Sequence, residues 1–273
     1  MNNNRTLGKV GAYLINMLYE EDKPVFTVDD AQRILNKNYN STTDLLSKMT
    51  KRGTISRLKH GKFIIIPIQV GKTENYTGNR FLAVKEIMNS PGYYIGFYSA
   101  MDYWGMLTQP LIKTFAVTPK RQVVPSHLED LFIFIYMKEK YIWGVKDEWV
   151  TRAEKVRISD IEKTILDGLL YPQHCGGITE IAKGIWLVRS DIDYQILERY
   201  IVKYDKNVIA KRLGYILEIL GITQEPLVSR LRHYVKDRYD VFDPTIPANS
   251  IDKNNWHLID NIGRKQIINI INS

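Results

Sequence analysis

Three groups of residues have types and spacings that could do chemistry. His174 and Cys175 set an imidazole beside a thiol, the ingredients of an activated nucleophile. Asp160, Glu162 and Asp167 bring three carboxylates into one short stretch, where paired acids could move a proton or hold Mg²⁺. The third group is basic. From Lys37 to Lys62, seven cations (Lys37, Lys48, Lys51, Arg52, Arg57, Lys59 and Lys62) face one acid, Asp44, a local excess of +6 in a chain of net charge +8. Concentrated positive charge of this kind suits phosphate neutralisation.

The first two groups have plainer explanations. Adjacent residues rarely point at one substrate, and the other histidines, His60, His127, His233 and His257, are scattered without the i, i+4 spacing of metal ligands. Asp160 and Asp167 lie two helical turns apart, and Glu162 fits a capping box begun by Ser159. The acid and Glu-x-Lys pair of a metal-dependent nuclease has one weak counterpart, Glu21, Asp22 and Lys23, which reads as a solvated turn. There is no phosphate-binding GxxxxGK[ST], no GxGxxG after a strand, no GxSxG elbow and no HExxH. No catalytic, cofactor or metal site is therefore expected, and a DNA-processing enzyme is the least favoured reading.

The basic group has elements that would position it. Thr27 with Asp30, and Ser41 with Asp44, mark two successive helix starts, each a hydroxyl followed by an acid at capping-box distance. On the second helix Thr42, Leu45, Leu46 and Met49 share an apolar face, while Asn40, Asp44, Ser47 and Lys51 project oppositely. Gly53 ends it, and TISRLKHGKFIIIP follows as a strand, a hairpin tip at His60 and Gly61, and a returning strand closed by Pro67. An earlier stripe, Val10, Leu14, Met17 and Leu18, predicts a supporting first helix. This is the pattern of a winged helix-turn-helix. In it Asn40, Thr43, Asp44, Ser47 and Lys51 face base edges in duplex DNA, Ser41 belongs to the same DNA-binding face, and Lys48, Arg52, Arg57, Lys59, His60 and Lys62 hold phosphates or the adjacent minor groove.

The remainder is nearly neutral: from residue 63 onward 27 basic residues meet 24 acidic ones. A polar stretch, IQVGKTENYTGN, separates an expected domain at 1–70 from a larger one at 76–273. In the latter a helix at about 79–88 precedes an aromatic segment with a short helix begun by Ser99, read as core. KTFAVTP, DLFIFIYMK and KYIWGVKDEWV predict neighbouring strands of a mostly antiparallel sheet at about 110–150. Helices follow over about 158–236, at 159–171, 177–189, 193–203, 207–220 and 226–236, the fourth capped by Asn207 and stopped by Gly221. NWHLIDN is expected to return a strand to the sheet. The fold class is thus α+β. The lone cysteine excludes an internal disulfide, no apolar run is of membrane length, and a cytoplasmic location without membrane contact is expected.

Taken in order, the first 68 residues, SAMDYWGMLTQ, VRISDIEKTILDGLLYPQHCGGITEI, KRLGYILEILG and NWHLIDN make the chain similar to the AbiE antitoxin family (AbiEi) along nearly its whole length. The family's usual GLT is spread here over Gly105, Met106, Leu107 and Thr108. The resemblance implies a winged helix that binds inverted repeats in its own promoter and represses it. It also implies a C-terminal domain that counters a nucleotidyltransferase toxin in a type IV toxin–antitoxin operon, functionally and without a required stable complex. Direct masking of the toxin by binding is the alternative. The resemblance carries over no catalytic residue.

Overall fold

The computed structural model describes residues 7–70, 73, 75–88, 91–152, 154–248 and 252–271. The first six residues, three positions of the expected linker (71, 72 and 74) and the end of DPTIPANS lie outside them. The chain forms two compact units, one built from the residues up to Ser90 together with Val123–Leu131, the other from Pro91–Gln122 and Phe132–Ser273. Both helices and sheets occur throughout, so the class is α+β.

In the first unit, α1 (Gly8–Glu20) is followed by β1 (Val25–Thr27), α2 (Val28–Leu35), α3 (Tyr39–Lys51), β2 (Ile55–Lys59), β3 (Lys62–Ile65) and α4 (Arg80–Met88). The buried face of α1 is Gly11, Leu14, Ile15 and Leu18, an i, i+3, i+4, i+7 stripe, whereas Val10 faces outward. Thr27 and Asp30 form the expected reciprocal capping box on α2. Asn36 then turns left-handed at φ 48°, which leaves room for Asn38, not Ser41, to cap α3 through the Ser41 amide at 2.9 Å. Ser41 is thereby placed in the first turn.

β1, β3 and β2 make an antiparallel sheet in that order. One face, with Phe26, Ile55, Phe63 and Ile65, closes over Leu14, Leu18, Leu46 and Met49. The other carries Leu58 and Ile64, and α4 packs against β2 there through a helix whose Ala83, Val84, Ile87 and Met88 are buried. A sheet with two apolar faces needs two covers. The boundary expected at 70–76 therefore falls inside this unit, which runs on through α4.

The second unit holds β4 (Tyr94–Ile95), α5 (Phe97–Tyr103), β5 (Thr114–Thr118), β6 (Phe132–Tyr136), β7 (Val145–Trp149) and β8 (Lys155–Ser159). Next come α6 (Ile161–Leu170), α7 (Ile178–Leu187), α8 (Tyr194–Tyr204), α9 (Asn207–Leu220) and α10 (Glu225–Tyr234), then β9 (Asp240–Val241), β10 (Leu258–Ile259) and α11 (Arg264–Ile271). The sheet, in the order β6-β5-β4-β8-β7, is mixed and not mainly antiparallel: β5–β6 and β4–β8 run parallel. The parallel pairs arise because long crossovers, not hairpins, join those strands. α5 starts at Phe97 after Gly96, two residues before Ser99. The NWHLIDN segment does not rejoin this sheet; β10 pairs parallel with β9.

α9 shows how closely this unit is packed. Gly214 lies on it against the ring of Trp256, which is 1% exposed and donates its indole N–H to Glu218 at 2.8 Å. A β-carbon at 214 would sit 2.2 Å from that ring. Alanine favours a helix over glycine by about 1 kcal/mol, but overpacking a filled core costs about 1–3 kcal/mol or more, and at this separation the clash wins. Gly214→Ala is expected to lower stability by about 2 kcal/mol in urea denaturation, opposite in sign to the propensity gain.

Candidate nucleic-acid interface

α3 divides cleanly between inside and outside. Thr42, Leu46 and Met49 are buried; Asn40, Asp44, Ser47 and Lys51 are exposed along one stripe, with Ser41, Lys48 and Arg52 exposed on its flank. Thr43 is half-buried, and its hydroxyl donates back to the Tyr39 and Asn40 carbonyls at 3.0 Å, so it is spent on the helix itself. Among the described residues no carboxylate pairs with Lys48, Lys51 or Arg52.

The hairpin brings a second set of groups to this stripe. A groove of about 450 Å³ runs between α3 and the hairpin tip, lined by Tyr39, Thr43, Ser47 and Lys51 on one side and Arg57, His60 and Gly61 on the other. Arg57 donates from its guanidinium to His60 Nδ1 at 2.9 Å, which requires that nitrogen to carry its lone pair. Its backbone carbonyl accepts from His127 Nε2 at 2.5 Å, so the 123–131 segment of this unit fixes the strand from behind. Gly61 turns at φ 72°, a left-handed conformation suited to glycine, with nothing near enough to obstruct the groove.

Lys59 and Lys62 do not join the groove. The register of β2 on β3 slips between Arg57 and Lys59, a bulge that breaks the alternation of faces. Arg57 stays opposite Phe63 on the α3 side, while Lys59 pairs with Lys62 on the α4 side. There the Lys59 ammonium donates to the Ile87 carbonyl at 2.9 Å, and Lys62 forms an ion pair with Glu86. Burial, with help from neighbouring Lys62, pulls the Lys59 ammonium below the usual lysine range. Intramolecular acceptors on α4, and not the groove, thus hold the two lysines that the sequence pattern assigns to phosphate. The signal that would have shown this, an acid on a helix far along the chain, has no local sequence mark.

The other candidate groups resolve into structure. Glu21 pairs with Arg33 and Lys23 with Asp30, both at 2.5 Å, so the nuclease-like triplet is tied up in surface ion pairs. Asp160, and not Ser159, caps α6 by accepting from the Lys163 amide at 2.8 Å, and takes the Tyr200 hydroxyl at 2.9 Å. Burial, and then that bond, push the Tyr200 phenol up to about 12. Glu162 accepts from the Asp193 amide at 2.8 Å, and Asp167 lies wholly buried beside Lys163. Three carboxylates adjacent in sequence thus serve three separate places. Among the described residues no group of three or more metal-type side chains gathers. Cys175 is fully buried, and burial raises its thiol well above the ordinary range; the His174 ring packs edge-on against Phe97, 5.1 Å between centroids. No helix among the described residues is long and apolar enough to cross a membrane.

No family model matches the chain, and no curated protein matches it. Among solved structures it is similar to the RV2827C protein from Mycobacterium tuberculosis, with a TM-score of 0.74 and 14% identity, over 99% of this chain and 97% of that one. At that identity the likeness speaks to the fold.

The thiol gives a direct check on the Cys175 and His174 assignment. A buried, protonated thiol is inert toward disulfide reagents. Cys175 is expected to resist Ellman's reagent in the native protein and to react fully in denaturant; rapid native labelling would contradict its burial.

Proposed function

We propose that this protein is a DNA-binding transcriptional autorepressor and an antitoxin of a type IV toxin–antitoxin operon, acting in the cytoplasm. The first unit is read as a winged helix-turn-helix, with α3 as recognition helix and the β2–β3 hairpin as wing. One observation carries this reading: the exposed polar and basic stripe of α3 opens on the same groove as Arg57 and His60, while the opposite face of α3, with Thr42, Leu46 and Met49, is buried. A stripe serving only solvation would have no need of a second element aimed across it.

In this arrangement Asn40, Asp44 and Ser47 meet base edges, where amide, carboxylate and hydroxyl groups read different donor and acceptor patterns. Lys48, Lys51, Arg52 and Arg57 meet phosphates. The operon role, the inverted-repeat operator and the nucleotidyltransferase toxin rest on the AbiE-like segments. A second reading, in which the larger unit binds a toxin directly, is favoured by β6: it is an edge strand whose residues, Phe132 to Tyr136, include no charge to discourage strand pairing.

Binding of the full-length protein to duplex from its own promoter, measured by fluorescence anisotropy across salt concentrations, tests the docking. Lys51→Ala and Arg57→Ala should each flatten the plot of log K against log salt by about 0.9. Lys59→Ala should leave that slope near the wild-type value. If Lys51→Ala and Arg57→Ala keep the wild-type slope, the assigned face is wrong. Co-expression with a toxic nucleotidyltransferase encoded beside it should restore growth if the antitoxin role holds.

A further inference from the structure

The end of α4 offers the hairpin what a DNA backbone would offer it. Glu86 presents a carboxylate to Lys62, and Ile87 presents a carbonyl to Lys59 in the last turn of the helix, where carbonyls lack intrahelical partners and carry the negative end of the dipole. Two acceptors one residue apart thus occupy two ammonium groups that lie opposite one another at the hairpin tip. The Lys62 side chain is 17% exposed and that of Glu86 29%, so the ion pair is sheltered yet reachable from solvent. Lys62 directly follows Gly61, which lines the groove, and a lysine stem is long and flexible enough to change partners.

We propose that Glu86 is an intramolecular competitor for phosphate: its contact with Lys62 is an autoinhibitory latch that holds one wing cation away from DNA. The proposal rests on the docking reading of the first unit. Lys59 is the fixed half of the latch, because its acceptor belongs to the backbone. Lys62 is the releasable half, because its acceptor is a side chain that a phosphate oxygen can replace. Anything that draws α4 away from the hairpin would add a cation to the binding face and tighten the complex; with the latch closed, the protein binds more weakly than its charge allows.

A double-mutant cycle at Glu86 and Lys62 tests this in the full-length protein, using its own promoter duplex and a scrambled duplex of equal length. Glu86→Gln preserves shape and removes charge. It should tighten binding to both duplexes about three- to tenfold at low salt and steepen the salt slope by about 0.9, the signature of one added phosphate contact. Lys62→Ala alone should match wild type, and Glu86→Gln/Lys62→Ala should fall back to wild type. The latch is overturned if Glu86→Gln binds like wild type. It is equally overturned if the double variant keeps the gain, because the effect would then be the general loss of an acid and not the freeing of Lys62. If none of the four proteins binds duplex in a salt-dependent way, the docking reading itself fails and takes the latch with it. Thermal melts of all four confirm that the comparison is made between folded proteins.

Discussion

The larger unit is organised around a buried ion pair. Lys163 and Asp167, one turn apart on α6, are both fully shielded from solvent. The ammonium donates to Asp167 Oδ1 and to the hydroxyls of Tyr94 and Tyr204, at 3.3 and 3.2 Å for the two tyrosines, which exhausts its three protons. Those hydroxyls in turn donate to Asp167, Tyr94 to Oδ2 at 2.8 Å and Tyr204 to Oδ1 at 2.5 Å. Rings close the remaining directions, with Trp143 at 4.8 Å and Tyr204 at 4.7 Å from the charge. Burial pulls the Lys163 ammonium below its usual range, and the carboxylate beside it opposes that pull. Taking one member away would leave a bare charge in the core, at a cost of about 3–5 kcal/mol. The network thereby commits β4, α6, α8 and the turn before β7 to one mutual arrangement. Gly144 belongs to that arrangement: it turns at φ 66°, and a β-carbon there would come within 2.9 Å of Lys163.

This explains why the run from Ser159 to Asp167 resembles a catalytic cluster without gathering as one. Each polar group there has a structural bond: Asp160 caps its own helix, Glu162 receives the start of α8, Thr164 returns to the Asp160 carbonyl, and Lys163 with Asp167 fills the centre. The second buried cation run follows the same rule. Lys211 reaches Asp240 at 2.8 Å, and Arg212 donates to the carbonyls of Leu169 and Val241, so α9 is fastened to α6 and to β9. Charge in the interior of this unit is used to fix relative positions.

What the sequence made legible is what local chemistry decides. The Thr27 and Asp30 box, the hairpin tip at His60 and Gly61, the bounds of α9 with Gly221 at its left-handed end, and the apolar face of α3 all depend on residues within a few positions of one another. What it hid depends on distant partners. Asn207, expected to cap α9, is instead its first residue, with Lys206 at the cap position, and its side-chain amide donates to the Tyr234 carbonyl at the end of α10, because that helix packs alongside. β1 is too short to show a period and exists because β3 offers it an edge. The parallel pairs in the larger sheet follow from crossovers whose direction no residue type encodes. The bulge after Arg57 matters most for the candidate interface: alternation alone puts Arg57 and Lys59 on one face, and one slipped residue separates them.

That separation changes how the basic cluster of the first unit should be understood. The excess of +6 between Lys37 and Lys62 treats every cation as equivalent, but Lys59 and Lys62 are occupied on the α4 side while Lys48, Lys51, Arg52 and Arg57 remain outward. Fewer free cations mean a smaller electrostatic contribution to docking in the proposed complex, and a correspondingly larger share of the discrimination for groups that read bases. Asp44 fits this division. A carboxylate in the middle of an exposed stripe repels phosphate, so a surface built for backbone contact alone would be better without it. Facing into a major groove it can accept from the amino group of cytosine, and repulsion elsewhere then becomes a source of selectivity. In the proposed complex the polar stripe and the restrained charge around it would act together, with binding strength held down where sequence must be told apart.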